Sequence, residues 1–154
     1  MATLYTLGLS EIQFNGTKVG MVYKDTCKLT QDDPTVNEHF EEGKAYAAVT
    51  TREGKPPKLT FSIMNPDAQF LSTHLGGTYD APTKTWKFSG EEIPVSGEWD
   101  VITKKGMDFT IKKGDAVAKI NFDVSDKSIL LVDFTVTPTD PGNGTKPFEA
   151  KEKA

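Results

Sequence analysis

The chain has 154 residues, of which 36% are hydrophobic and 26% are charged, and its formal net charge is −4 at pH 7. This length predicts a single domain with a hydrophobic core, and the acidic balance argues against a surface that binds nucleic acid. A lone cysteine excludes an intrachain disulfide, and no apolar run approaches the roughly 20 residues of a membrane-spanning helix.

The first predicted element is a hairpin in the segment IQFNGTKVG. Ile12 and Phe14 alternate with polar residues before Asn15 and Gly16, and Val19 resumes the alternation. Asn-Gly suits a two-residue type I′ turn, because both central residues of that turn need a positive φ.

A strand over residues 21–29 is predicted next, and the polar segment TQDDPTVNEHFEEGK follows it. Within this segment Val36, Glu38 and Phe40 keep a two-residue period, so we interpret residues 30–45 as an extended arm. Strands over residues 46–51 and 59–64 are predicted to pair with each other.

The two-residue period breaks in FSIMNPDAQFLSTHLGGTYD, which predicts one short helix over about residues 66–75. Asn65 is a favourable N-cap, Pro66 suits the first helical position, and the Gly-Gly pair is typical of a helix end. We expect the apolar face of this helix to pack against the sheet through Phe70, Leu71 and Leu75.

The strand pattern returns after the helix, and MDFTIKKGDAVAKINFDV is the clearest hairpin prediction, with its turn at residues 113–115. Residues 138–154 have no periodicity and are rich in proline, glycine and charge. We therefore expect one β-rich domain over residues 1–137 and a flexible tail over residues 138–154. The fold class predicted is mainly β, an antiparallel two-sheet sandwich or barrel with one short helix.

No group of residues indicates catalysis, and we expect no enzyme activity, no cofactor and no metal site. His39 is a conceivable base for Cys27, but the sequence YKDTCKLT does not resemble a nucleophile motif. A single cysteine on a strand is usually a small buried residue. The amino terminus lacks the basic and apolar segments of a signal peptide, so we expect folding in a cytoplasm.

Three long segments accompany the predicted sheet, over residues 1–10, 30–45 and 138–154. An open antiparallel sheet must block its edge strands or pair them with another chain. Segments of this size suit a subunit that completes the sheets of its neighbours, and repeated head-to-tail contacts build rings or filaments.

The order of elements resembles that of phage tail tube proteins, also called major tail proteins, and of the tube protein of type VI secretion systems. The segment KLTFSIMNPDAQFLSTHLGGTYDAPTKTWKF, residues 58–88, carries the resemblance with its strand, helix, Leu-Gly-Gly exit and tryptophan-containing strand. The upstream segment CKLTQDDPTVNEHFEEG, residues 27–43, resembles the loop between rings in such subunits.

The resemblance implies a structural subunit of a virion tail, made in the cytoplasm of a bacterial host. It implies hexameric rings, joined through sheet edges into a continuous inner β-barrel and stacked into a tube. The implied partners are other copies of the chain, other tail components, and DNA that passes through without specific binding. The residues expected at contacts between rings or subunits are Pro34, Thr35, Val36, Asn37, Glu38, His39 and Phe40.

A tube that conducts DNA should not retain it, and lysine and arginine contacts to phosphates are what retain DNA. Alternation places Asp108, Thr110 and Lys112 on a polar face of their strand, but this row is only weakly acidic. We therefore expect further lumen carboxylates from another strand, namely Glu98 and Asp100.

Two other functions stay open on the sequence alone. One is a monomeric lipocalin-like β-barrel that binds a small apolar ligand, with the helix closing its mouth. The other is a different structural or decoration protein of a virion. A ligand binder needs a cavity inside the barrel, whereas a tube subunit needs a filled interior and open sheet edges.

Overall fold

The computed structural model describes residues 3–91 and 93–153. Its elements in chain order are β1 (Leu7–Phe14), β2 (Thr17–Lys18), β3 (Lys28–Thr30), β4 (Thr35–Phe40), β5 (Ala47–Glu53), β6 (Lys58–Ile63), α1 (Ala68–Leu75), β7 (Thr78–Asp80), β8 (Thr85–Lys87), β9 (Val95–Lys105), β10 (Met107–Asn121), β11 (Leu131–Pro138) and β12 (Phe148–Glu152). The strands pair antiparallel, so the predicted mainly β class with one short helix is confirmed.

The main sheet has the strand order β2-β1-β9-β10-β11-β6-β3. β12 pairs with the first part of β10, residues 107–111, whereas β11 pairs with the second part, residues 114–121. The sheet therefore has two layers that share β10, with the orders β2-β1-β9-β10-β12 and β10-β11-β6-β3. The two ends of the strand path do not pair in the described part of the chain, so the architecture is sandwich-like and open.

The hydrophobic core lies between these layers and centres on Trp99, which is fully buried. The rings of Phe61 and Phe134 stack at 4.9 Å, and their centroids lie 5.9 and 6.1 Å from that of Trp99. Each fully buried side chain of this size contributes about 1.5–3 kcal/mol to stability. The other core members below 2% exposure are Ile12, Leu59, Ile63, Ile111, Val132 and Val136.

The turn predicted at Asn15 and Gly16 is confirmed. Both residues have positive φ, 52° and 86°, and Phe14 pairs with Thr17 across the turn.

The hairpin predicted with a turn at residues 113–115 is wrong, because the single strand β10 runs through this segment. The pairing of β10 with β9 shifts register just before Gly114. A Cβ on Gly114 would lie 2.5 Å from Cγ1 of Val136 and 2.7 Å from Cδ1 of Trp99. Glycine is needed here because the strand crosses the core at close range, and not because the chain turns.

The predicted pairing of residues 46–51 with residues 59–64 is also wrong. β5 pairs with β4, whereas β6 pairs with β3 and β11. A two-residue period identifies a strand without identifying its partner.

The helix begins two residues later than predicted. Asp67 is the N-cap, and its side chain accepts a hydrogen bond of 2.8 Å from the Phe70 amide. Asn65, the predicted cap, instead accepts a hydrogen bond of 2.9 Å from the amide of Met21. The predicted end is confirmed, since α1 closes at Gly76 with a φ of 94°.

The segment 138–154 was expected to be flexible, but part of it forms β12 along the first part of β10. Phe148 lies opposite Ile111, and its ring centroid is 5.9 Å from that of Phe109. This apolar contact anchors a strand that is otherwise polar, which explains why no period was visible in the sequence.

Candidate assembly surfaces

The strands β4 and β5 form a two-stranded ribbon that stands apart from the main sheet. We define the ribbon as residues 31–55. Its side chains Val36, Phe40, Tyr46 and Val49 are exposed, from 46% for Val36 to 90% for Tyr46. All the residues predicted to contact a neighbouring ring or subunit lie on the ribbon or at its start and are exposed: Pro34, Thr35, Val36, Asn37, Glu38, His39 and Phe40.

The base and the tip of the ribbon are both closed by hydrogen bonds. At the base, Nε2 of Gln31 donates to the carbonyl oxygen of Lys55 at 2.7 Å. At the tip, the amide of Lys44 donates to the carbonyl oxygen of Glu41 at 3.0 Å. An isolated two-stranded hairpin is marginally stable in water, and this one leaves large apolar side chains exposed. The ribbon is therefore a surface suited to burial against a partner.

A second surface is the outer face of the layer β2-β1-β9-β10-β12, which we call the polar face. Glu98 and Asp100 flank the buried Trp99 on β9, so alternation places both on this face. Both are half-buried, and Oδ1 of Asp100 accepts a hydrogen bond of 2.7 Å from the Thr110 hydroxyl on β10.

Strand register places further charged residues on the polar face. Nζ of Lys112 lies 3.6 Å from a carboxylate oxygen of Glu149, and Nζ of Lys153 lies 3.2 Å from one of Asp108. Carboxylates and lysines are mixed on this face, which includes Glu11, Glu98, Asp100, Asp108 and Glu149 together with Lys18, Lys112, Lys151 and Lys153.

Asp108 stays ionised under mildly acidic conditions. Partial burial raises the pKa of Asp108, but hydrogen bonds from the Thr103 amide and the Lys153 ammonium group outweigh burial and hold it below its ordinary value. This carboxylate therefore contributes negative charge throughout the neutral pH range.

The same layer has open edges on both sides. β12 pairs only with β10, and β1 pairs with β2 only beside the turn, so the outer edges of β12 and of most of β1 have no strand partner among the described residues. Unpaired amides and carbonyls at such edges can pair with a strand of another chain.

The predicted helix contacts are close to the core. Leu75 is buried, and Phe70 and Leu71 are half-buried against it. The helix is also tied to β8, because Nε1 of Trp86 donates to the carbonyl oxygen of Gly76 at 2.8 Å.

Cys27 and His39 do not form a reactive pair. His39 lies on the exposed ribbon, whereas Cys27 packs against the core beside a cleft of about 530 Å³ lined by Leu9, Val101 and Phe109. Burial raises the pKa of Cys27 to about 11, so its thiol is protonated and weakly nucleophilic at neutral pH.

Two parts of these surfaces were not predicted from the sequence, namely β5 as the second strand of the ribbon and β12 as an edge strand. The sequence does contain a local signal for β5. The segment EEGK, followed by the apolar residues Tyr46 and Val49, is a hairpin pattern with glycine in its turn, and Gly43 does have a φ of 81°. For β12 the sequence has no comparable signal.

Within residues 3–91 and 93–153, no group of three or more His, Cys, Asp or Glu side chains is placed to hold a metal ion. No helix in this part of the chain is long and apolar enough to cross a membrane. The chain matches no protein-family model and no curated protein.

Proposed function

We propose that this protein is the structural subunit of a phage tail tube, whose copies form stacked rings that conduct DNA into a host cell. The observation that carries the proposal is the ribbon, which leaves the main sheet and keeps Val36 and Phe40 exposed. Exposed apolar groups on a hairpin without support from its own subunit suit burial against another copy. In the proposed tube, the ribbon makes the contact between neighbouring rings.

The open edges support ring formation. β12 and β1 lie at opposite sides of the layer β2-β1-β9-β10-β12. Pairing β12 of one copy with β1 of the next extends this layer from subunit to subunit and keeps its polar face on one side. Repeated around an axis, such head-to-tail pairing closes into a ring. The family that the chain resembles implies six copies in each ring.

In such a ring, the polar face is suited to line the bore. It carries carboxylates that include Glu98 and Asp100, and carboxylates repel the phosphates of passing DNA. The proposal places the protein in the virion tail, with other tail components as further partners.

The packing of side chains between the layers favours a tube subunit over a protein that carries a small ligand. A lipocalin-like protein holds its ligand between its sheets, but here Trp99, Phe61 and Phe134 fill that space. The cleft of about 530 Å³ beside Cys27 is lined partly by the charged residues Lys24, Asp25 and Lys104.

The test is assembly of the purified chain. We expect tubes of uniform diameter by negative-stain electron microscopy at high protein concentration, and a mass above that of the monomer by light scattering. A protein that stays monomeric at every concentration, with or without other tail components, would contradict the proposed function.

The ribbon is tested by replacing residues 32–54 with a short Gly-Ser linker. A short linker can join the two ends because Gln31 and Lys55 are in contact. We expect a folded subunit that no longer forms tubes. A milder variant combines Val36→Ser with Phe40→Ser. Its matched control combines Phe122→Ser with Val124→Ser, which removes exposed apolar groups outside the ribbon. Normal tubes from the linker variant would show that the ribbon is not the stacking element.

A further inference from the structure

The two histidines of the chain have opposite environments. His39 is exposed on β4, whereas His74 on α1 is half-buried and lies against a cluster of aromatic rings. The His74 ring centroid is 4.4 Å from that of Phe70, 5.3 Å from Phe134 and 6.2 Å from Phe14. These rings belong to α1, β11 and β1, so His74 joins the helix to both layers of the sandwich.

The Nδ1 atom of His74 is buried and has no hydrogen-bond partner within the described residues. A neutral imidazole tolerates this arrangement, because one ring nitrogen carries no proton. A protonated imidazole has two N–H donors, and an unpaired donor on a charged ring is costly inside an apolar cluster. Burial accordingly lowers the pKa of His74 below its ordinary value.

The groups that face His74 offer little compensation for a positive charge. β1 and β11 present Phe14 and Phe134. On the remaining side is a cavity of about 270 Å³, lined by Ile93 and Pro94 before β9 and by residues 115–118 of β10. Among the described residues that line this cavity, Asp115 is the one carboxylate, and its side chain is exposed to solvent.

We propose that His74 is an acid-sensitive latch that holds α1 on the core only while its imidazole is neutral. Protonation places a charge beside Phe70, Phe134 and Phe14, and moving α1 outward exposes the buried Nδ1–H donor to water. Because the folded pKa lies below the unfolded value of about 6.5, the stabilising contribution is complete above about pH 6.5. It is lost as the pH falls through the folded pKa. The latch operates within one subunit and is independent of tube assembly.

The first test is a histidine titration by NMR on the full chain, with the variant His39→Gln assigning the two imidazole signals. We expect His74 to titrate below the ordinary histidine value of about 6.5, and its titration to shift the α1 amide signals more than those of β11. A pKa for His74 at or above about 6.5, as an ion pair with Asp115 would produce, overturns the proposal.

The second test compares thermal unfolding at pH 7.5 and pH 5.5 for the wild type, His39→Gln and His74→Phe. Phenylalanine preserves an aromatic ring in the cluster and cannot be protonated. We expect the melting temperature to fall at pH 5.5 for the wild type and His39→Gln, and the fall to be smaller for His74→Phe. An equal fall in all three proteins overturns the latch. If His74→Phe does not fold, the wild-type titration decides the question alone.

Discussion

The indole Nε1 of Trp99 donates a hydrogen bond of 3.2 Å to the carbonyl oxygen of Gly114 in the buried interior. Gly114 lies just after the shift in register between β10 and β9. The contact satisfies the polar atom of the largest core side chain and fixes the place where β10 passes from one layer to the other. Trp99 and Gly114 are therefore in direct contact where β10 joins the two layers.

The first prediction concerns Gly114. In Gly114→Ala the new methyl group meets Val136, Trp99 and Ile111 at 2.5 to 3.0 Å, so the core must shift to admit it. Overpacking of this kind costs about 1–3 kcal/mol of unfolding free energy. The measurement is urea denaturation followed by tryptophan fluorescence.

Gly54→Ala is the matched control, because a Cβ at Gly54 meets nothing within 4 Å. We expect its stability to stay within about 0.5 kcal/mol of the wild type. Equal stability of the two variants would show that the close approach at Gly114 is not a constraint.

The second prediction ranks two leucines of α1. Leu75 is buried at 8% exposure, whereas Leu71 is half-buried. Leu75→Ala should therefore cost about 2–5 kcal/mol, and Leu71→Ala should cost less because water already reaches part of its side chain. Chemical denaturation of both variants checks the order, and a larger loss for Leu71→Ala would contradict the packing described for α1.

The third prediction concerns the proposed bore. Combining Glu98→Lys with Asp100→Lys makes the polar face positive, so passing DNA should be retained most strongly at low ionic strength, where charges are least screened. The measurement is DNA ejection from assembled particles against salt concentration.

A control variant, Asp123→Lys with Asp126→Lys, makes the same change of charge in the exposed connection between β10 and β11. We expect its ejection to match the wild type. Unchanged ejection at low salt from well-formed tubes of the Glu98 and Asp100 variant would exclude these residues from the bore. Thermal melting of each subunit separates this outcome from a folding defect caused by loss of the Thr110 contact.

The sequence by itself determined the local features of this protein. Asn15-Gly16 specifies a turn because few other residue pairs adopt positive φ at both positions. The spacing of Phe70, Leu71 and Leu75 before a Gly-Gly pair specifies a short amphipathic helix, and alternation around Ile12 and Trp99 specifies strands. Each of these signals depends on backbone conformation and side-chain period within a few residues.

Only the tertiary structure decided what each element contacts. A glycine at position 114 reads as a turn in the sequence, but the residues that require it include Val136 and Trp99, distant along the chain. Asn65 has the chemistry of a helix cap, but the amide of Met21 uses its side-chain oxygen, and Asp67 caps the helix. The strand that pairs with β5 was not predicted either, and the position of β12 could not be, because it depends on residues distant along the chain. Strand pairing and steric clearance depend on residues that the fold brings together, and a local pattern carries no information about them.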